Sequence, residues 1–280
     1  MLLNTVFEKT WGTRAGAPPA KEYWTELIPP LRQEQPDFLF IAEAYWDLEG
    51  ELQQLGFDYC YDKRLYDRLV YENAESVRVH LLADPAYQEK LVRFIENHDE
   101  PRAAATFSFP KSRAAAVTVA TLPGAKLFHQ GQFEGCKVKL PVQLGRRPVE
   151  IPSQESLAFY RQLLSAIQAP AFRQGEWQLC QRNGWPDTPS SQNPVAWGWR
   201  KGAQRYLIVV NLSDASTQGL VRLPWDDLQG KAWRLVDDFT GESLERDGGQ
   251  MVNAGLDVSL EPWGFGFWKF AEAASNGGIV

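Results

Sequence analysis

Residues 37–46 read DFLFIAEAYW, a stretch bounded by Pro36 and the acidic Asp47. Its unbroken apolar run from Phe38 to Ile41 has strand length. Continuous hydrophobicity, in place of alternation, predicts a strand buried on both faces, as in parallel sheets. Upstream, AKEYWTELIPPLRQEQ (20–35) carries a helical period, and Pro29-Pro30 is expected to kink or split it because proline lacks the amide donor. Downstream, FDYCYD (57–62) predicts a second strand, entered after ELQQLG, where Gly56 suits a helix C-cap. LYDRLVYEN (65–73) and AYQEKLVRF (86–94) show helical apolar spacing. LVRFIENHDEP (91–101) is then expected to pass from helix into a short strand ending at His98-Asp99. SRAAAVTVATLPG (112–124) predicts a small-residue helix closed by Pro-Gly, and AKLFHQGQ (125–132) a strand running into a glycine loop. In SQESLAFYRQLLSAIQ (153–168), Ser153 can N-cap a helix that lines up Leu157, Tyr160, Leu163, Leu164 and Ile167 on one face. Strand and helix alternate four times, the pattern of an α/β unit with parallel strands.

The texture changes after Pro170. YLIVVNLS (206–213), GLVRLP (219–224), AWRLVDDFTGE (232–242) and LEPWGFGFWKF (260–270) are short β-rich runs between Gly, Asp and Ser turns. No helical period survives there, which predicts an all-β sandwich domain over 171–270. The polar end, AEAASNGGIV (271–280), is expected to be a disordered tail.

Composition narrows the function classes. With 29 basic and 35 acidic groups the net charge is −6, which opposes binding to nucleic-acid phosphate. Hydrophobic residues at 44% and charged ones at 23% suffice for a core across 280 residues. The 11 Trp, 9 Tyr and 15 Phe suit either sugar stacking or plain core packing. Cys60, Cys136 and Cys180 are too sparsely spaced for a zinc site or a disulfide scaffold, so no metal and no cofactor is expected. AAAVTVATL (114–122) falls short of a membrane span and contains threonines. MLLNTVFEKTWG lacks the basic start of a signal peptide, which points to the cytoplasm, although a signal encoded upstream of Met1 would escape this reading. G-x-S-x-G, P-loop and dinucleotide fingerprints are absent, and GFGF (264–267) belongs to a strand. His80 reads as half-buried packing and His129 as a barrel-mouth or packing residue. Trp46 could be a sugar platform or part of the core.

Glu43 ends FLFIAE, and His98-Asp99 ends FIENHD. The carboxyl ends of parallel strands in an α/β barrel face the active site. Two carboxylates converging there suit glycosidase chemistry, one near the leaving oxygen and one near the developing positive charge. A plainer role for the same residues is Asp99 capping the loop before Pro101 and Glu43 pairing with an arginine.

The words IAEAYWD, FIENHDEP and LPGAKLFHQGQ, in this order and followed by YLIVVNLS, resemble the fifth-, seventh- and eighth-strand motifs and the C-terminal domain of the α-amylase superfamily, glycoside hydrolase family 13. The resemblance spans roughly residues 1–270. It implies an α/β fold: strands five to eight of a (β/α)8 TIM barrel over 1–170, then an antiparallel β-sandwich. It also implies that Glu43 is the general acid/base, that Asp99 stabilises the transition state, and that His98 donates a hydrogen bond to the sugar. The expected function is retaining hydrolysis or transglycosylation of α-linked glucans, with an α-glucan or maltooligosaccharide as partner. The alternative is a non-catalytic α-glucan-binding or regulatory fragment.

Two departures matter. The family's fourth strand, with its arginine and aspartate nucleophile, is not in this sequence, and MLLNTVFEKTWG resembles the segment that follows it. Gly131 is followed by Gln132 where the family places an acid. A full barrel takes about 250 residues, so the expectation is a fragment inactive by itself, whose partner is a missing N-terminal half barrel. Residues 1–170 alone are then expected to be poorly soluble or oligomeric, and 171–270 to fold independently.

Overall fold

The computed structural model describes residues 3–45, 47–143, 145–183 and 189–273; Trp46 and most of the expected tail lie outside them. Helices Phe7–Trp11 (α1) and Tyr23–Glu34 (α2) lead into β1, Ile41–Ala42. Helix α3 (Glu49–Gln54) follows, then β2 (Tyr59–Tyr61) and helices α4 (Lys63–Tyr71), α5 (Ala74–His80) and α6 (Pro85–Glu89). Strand β3 (Leu91–Arg93) leads to α7 (Ala103–Thr106) and α8 (Phe109–Thr121), and β4 (Ala125–Lys126) to α9 (Gln154–Ala166). The strands form one parallel sheet in sequence order, with Ile41 opposite Tyr59, Cys60 opposite Leu91 and Val92 opposite Ala125. Side-chain caps start α4 and α9: Asp62 accepts from Leu65 N at 3.0 Å, and Ser153 from Ser156 N at 3.2 Å.

Three local expectations are corrected. The run 38–41 is not buried on both faces: Phe38, Leu39 and Ile41 are 54%, 60% and 53% exposed, because β1 is an edge strand with a neighbour on one side only. LVRFIENHDEP begins as strand and continues as loop. Leu91–Arg93 sits between β2 and β4, and ladder pairing on both sides overrides the helical spacing that ends at α6. Helix α2 runs unbroken through Pro29 and Pro30. The residues four positions earlier, Thr25 and Glu26, are exposed, so water can serve the carbonyls that lose their donors.

Beyond α10 (Ala171–Gln174) the chain is mainly antiparallel. The strands are β5 (Glu176–Leu179), β6 (Gln181–Asn183), β7 (Pro194–Lys201), β8 (Gln204–Asn211), β9 (Thr217–Arg222), β10 (Ala232–Asp237) and β11 (Ser243–Asp247). A short helix α11 (Gly248–Asn253), which the turn-rich sequence did not announce, precedes β12 (Leu256–Leu260) and β13 (Phe265–Glu272). One sheet has the order β11-β10-β13-β8-β7-β5 and the other β12-β9-β6. They share a cluster that includes Leu207, Val209, Val221, Val258 and Phe270. Because β13 pairs with β10 as far as Glu272, the first two residues of the expected tail are strand.

The two regions are joined by core. Residues 114–121 of α8 are all buried, and Trp197, Trp199, Tyr206, Ile208 and Phe267 belong to the same apolar cluster. Trp199 Nε1 donates to the Thr121 carbonyl at 2.6 Å and Trp197 Nε1 to its hydroxyl at 3.2 Å. Among the described residues, no helix is long and apolar enough to cross a membrane.

Candidate active site

Glu43 leaves the sheet immediately after β1, and His98-Asp99 lies on the turn beyond β3. That turn is held by Asn97, whose Oδ1 accepts from Asp99 N at 2.9 Å and Glu100 N at 2.8 Å. The three residues singled out from the sequence converge. His98 Nε2 is 3.4 Å from Glu43 Oε1 and 3.5 Å from Asp99 Oδ2. One ligand-type atom from each of the three lies within 4.8 Å of the others, and their side chains are 39–53% exposed. Glu43 therefore pairs with a histidine and not an arginine, and the loop cap is Asn97. Tyr45 donates from its hydroxyl to Glu43 Oε1 at 3.2 Å. Partial burial and the Glu43 charge raise its pKa, so it stays a protonated donor. The cluster could converge on a cation, but it supplies two carboxylates and an imidazole, whereas calcium takes six to eight oxygens.

A second cluster, built on a buried carboxylate, lies next to Asn97 in the sequence. Glu96, 1% exposed, is 2.9 Å from Arg102 Nη1 and 3.3 Å from His129 Nδ1, and accepts from Ala103 N at 2.7 Å. Burial pushes its carboxyl up to about 7, a rise that the Ala103 N–H and Arg102 only partly offset. His129 is pushed down by burial and by Arg102. Arg102 Nη2 also donates to the Gln130 carbonyl at 2.8 Å. Gly131, at φ +90°, makes room for this: a Cβ there would stand 2.4 Å from Arg102 Nη2. Sequence reasoning passed over Glu96 and Arg102 and treated His129 as generic. The available signal was the acid inside FIENHD, three residues before Asp99. His80, read as half-buried packing, is half-buried and hydrogen-bonded to Asp62 at 3.0 Å, away from this site.

A cavity of about 520 Å³ opens beside His98, between the Asn97–Arg102 turn, His129 and the segment from Glu134 to Pro152. Cys136 lines it, while Cys60 and Cys180 are buried elsewhere.

No family model and no curated protein matches this chain. Solved structures do. The α-amylase GTA from Geobacillus thermoleovorans, solved with acarbose, is similar over 90% of this chain and 57% of its own, at TM-score 0.69 and 15% identity. The maltogenic α-amylase AmyB from Thermotoga neapolitana is similar over 88% of this chain and 58% of its own, at TM-score 0.68 and 18% identity. A debranching enzyme from Nostoc punctiforme is similar over 88% of this chain and 54% of its own, at TM-score 0.65 and 17% identity. The chain thus has an α-amylase-like fold and spans little more than half the length of the enzymes that share it.

Proposed function

We propose that this chain carries the acid/base half of a retaining glycoside hydrolase or transglycosylase acting on α-linked glucans. In this reading β1–β4 are strands five to eight of a (β/α)8 barrel over residues 1–170, and the antiparallel sheets are a C-terminal β-sandwich. The observation that carries it is the convergence of Glu43 and Asp99 on His98, from strands separated by β2.

Glu43 protonates the leaving oxygen, Asp99 faces the positive charge that develops on the sugar, and His98 between them donates to a sugar hydroxyl. Retention places carboxyls about 5–5.5 Å apart and direct water attack about 6.5–9.5 Å apart. Glu43 and Asp99 oxygens within 4.8 Å of each other are closer than the spacing of direct water attack, which argues against inversion by this pair. The nucleophile is then a third carboxylate from outside this chain, carried by a half barrel that pairs along the open side of β1. The exposed Phe38, Leu39 and Ile41 supply an apolar surface for it. Without that carboxylate, general acid help is worth about 10²–10⁴-fold, short of the usual 10⁶–10¹⁷-fold. A non-catalytic α-glucan-binding role is the second reading, favoured by a cavity that needs no nucleophile.

The test incubates residues 1–280 with maltooligosaccharides and an aryl α-maltoside. The expected result is no turnover above background. Adding a polypeptide that supplies the other four strands should produce turnover with retained anomeric configuration by NMR, abolished by Glu43→Gln. Turnover by the chain alone would refute the need for an outside nucleophile. A stable but inactive complex would leave only the binding role.

A further inference from the structure

We infer that Glu96 is a positioning residue: by closing the turn from Asn97 to Arg102 it sets where His98 and Asp99 stand relative to Glu43. This rests on the reading of those three residues as the reacting group, and adds the part of the chain that holds their spacing.

Residues 91–97 are buried without a break, so the strand end that carries Glu96 meets no water. A carboxylate in such a place persists only where the protein supplies its partners. Here they come from the far end of the turn. Glu96 Oε2 accepts from Ala103 N at 2.7 Å, and Oε1 stands 2.9 Å from Arg102 Nη1. The chain leaves β3 past Glu96 and returns to the same carboxylate seven residues later. Ala103 N is the first amide of α7, and Arg102 at the N-cap offers it no side-chain cap. Glu96 fills that place from outside the helix. Within the closed turn, Asn97 Oδ1 holds Asp99 N and Glu100 N at 2.9 and 2.8 Å. His98 and Asp99 thus ride on a loop pinned at its neck.

Arg102 carries the constraint to the segment after β4. Its Nη2 donates to the Gln130 carbonyl at 2.8 Å, and Nη1 lies 2.6 Å from His129 Nδ1. Burial and the Arg102 charge hold His129 below its usual pKa, which suits a neutral ring accepting from the guanidinium. The turn after β3 is thereby registered against the chain after β4, its neighbour in the sheet. Two other cations reach the turn, Lys63 to Glu100 at 3.2 Å and Lys139 to the Asp99 carbonyl. Lys63 is 21% exposed and Lys139 lies at the surface, whereas Glu96 is 1% exposed. Attraction in water fixes geometry weakly, so the buried carboxylate dominates.

The groups being placed are themselves open to solvent. His98 Nε2 is 3.4 Å from Glu43 Oε1 and 3.5 Å from Asp99 Oδ2, with side chains 39–53% exposed. Side chains this exposed take their spacing from the backbone that carries them. A displacement of about 1 Å at a reacting centre costs about 10²-fold in rate.

The experiment reads His98 in the intact 1–280 chain by NMR of isotope-labelled histidine rings, the three histidines being assigned through His80→Gln and His129→Gln. In the parent, Glu43→Gln should move the His98 ring signals, because the two groups touch. In a Glu96→Ala background the same substitution should leave them in place. Glu96→Gln, which still offers an oxygen to Ala103 N, should keep part of the response. Thr121→Val, a destabilising change in α8 outside this cluster, should keep all of it. No response in the parent, a full response in Glu96→Ala, or an equal loss in Thr121→Val would each overturn the inference. Should Glu96→Ala not fold, Arg102→Lys carries the test, since it keeps the charge but not the fork that reaches Gln130. A weakened response is then expected, and an undiminished one overturns the inference. In a chain complemented to activity, Glu96→Ala should lower kcat about 10- to 100-fold with KM nearly unchanged; an unchanged kcat counts against it equally. The ring signals need no turnover, so the two readings fail separately. A chain that never gains activity loses only the enzyme reading, and an active one whose Glu96→Ala variant keeps the full response loses only the role of Glu96.

Discussion

Arg93 is fully buried in β3, and Asp62, 2% exposed, is the charge that makes this tolerable. The guanidinium also reaches Gln88 and the Pro123 carbonyl, so its donors are used. Removing one member strands the other in a region without water. Arg93→Met should therefore cost about 3–5 kcal/mol, and pairing it with Asp62→Asn should recover part of the loss; urea denaturation of the two variants decides this. His80 sits against the same pair, with Arg93 Nη1 3.3 Å from its ring. Burial lowers its pKa from 6.5 to about 4, with Arg68 and Arg64 adding to the fall and Glu49 opposing it. The unfolded chain then binds the extra proton between these values. Stability is complete above about pH 6.5 and falls as pH drops toward 4. Glu96 runs the other way: raised from 4.5 to about 7, it withdraws stability as pH rises across that window. The urea midpoint of His80→Gln should fall less than the parent's between pH 6.5 and 4. That of Glu96→Gln should fall less between pH 5 and 7.5. Parallel profiles for parent and variant would refute either assignment.

Helix α8 shows what an element gains from small residues. Alanine, valine and threonine at 114–121 let it lie buried against β8 of the six-stranded antiparallel sheet and against α7 and α9. Thr118 and Thr121 return their hydroxyls to the helix, at 2.8 Å to Ala114 O and 2.7 Å to Val117 O, which is how a polar residue is accommodated there. Added volume has nowhere to go. Ala116→Leu should cost about 1–3 kcal/mol by overpacking. Thr121→Val, which removes the acceptor for Trp197 Nε1, should cost about 1–2 kcal/mol. Denaturant unfolding with an unchanged m-value tests both, and a neutral Ala116→Leu would show that this seam is loosely packed. At 91–93 the competition between elements is visible, since residues spaced for a helix become strand once β2 and β4 offer partners on both sides.

For the whole molecule, the boundary near residue 170 separates textures of sequence more than it separates cores. Ala115, Ala116 and Val119 share a cluster with Trp197, Tyr206 and Phe267 across it. Cutting there exposes aromatic surface on one piece and the α8 face on the other, in addition to the open β1 edge. Expression of 171–273 alone should therefore give an associating or non-cooperatively melting product, in place of the independent folding its strand-rich sequence suggests. Residues 1–170 should be oligomeric. Size-exclusion chromatography with light scattering, plus thermal melts, reads both; a monodisperse 171–273 with a sharp melt would show that the shared core is dispensable.

Element type was legible wherever local periodicity and partners agreed. The four strand–helix repeats, the Ser153 cap and the β-rich C-terminal region could all be read because apolar spacing and capping groups are local properties. Glu43, His98 and Asp99 could also be singled out, since strand-end carboxylates within FLFIAE and FIENHD carry a recognisable chemistry. Tertiary structure decided the rest. The exposure of Phe38, Leu39 and Ile41 depends on which side of β1 has a neighbour, and no window of sequence contains that. Burial in the folded chain raises the Glu96 carboxyl to about 7 against the opposing pull of Arg102, and His129 reaches it from a distant segment. The cavity is lined by residues from 97 to 152, a wall across which Glu150 reaches back to Lys137 and Val138. Local propensity chooses the elements, but burial and charge environment are set by partners far apart in the chain, and those follow only from the folded arrangement.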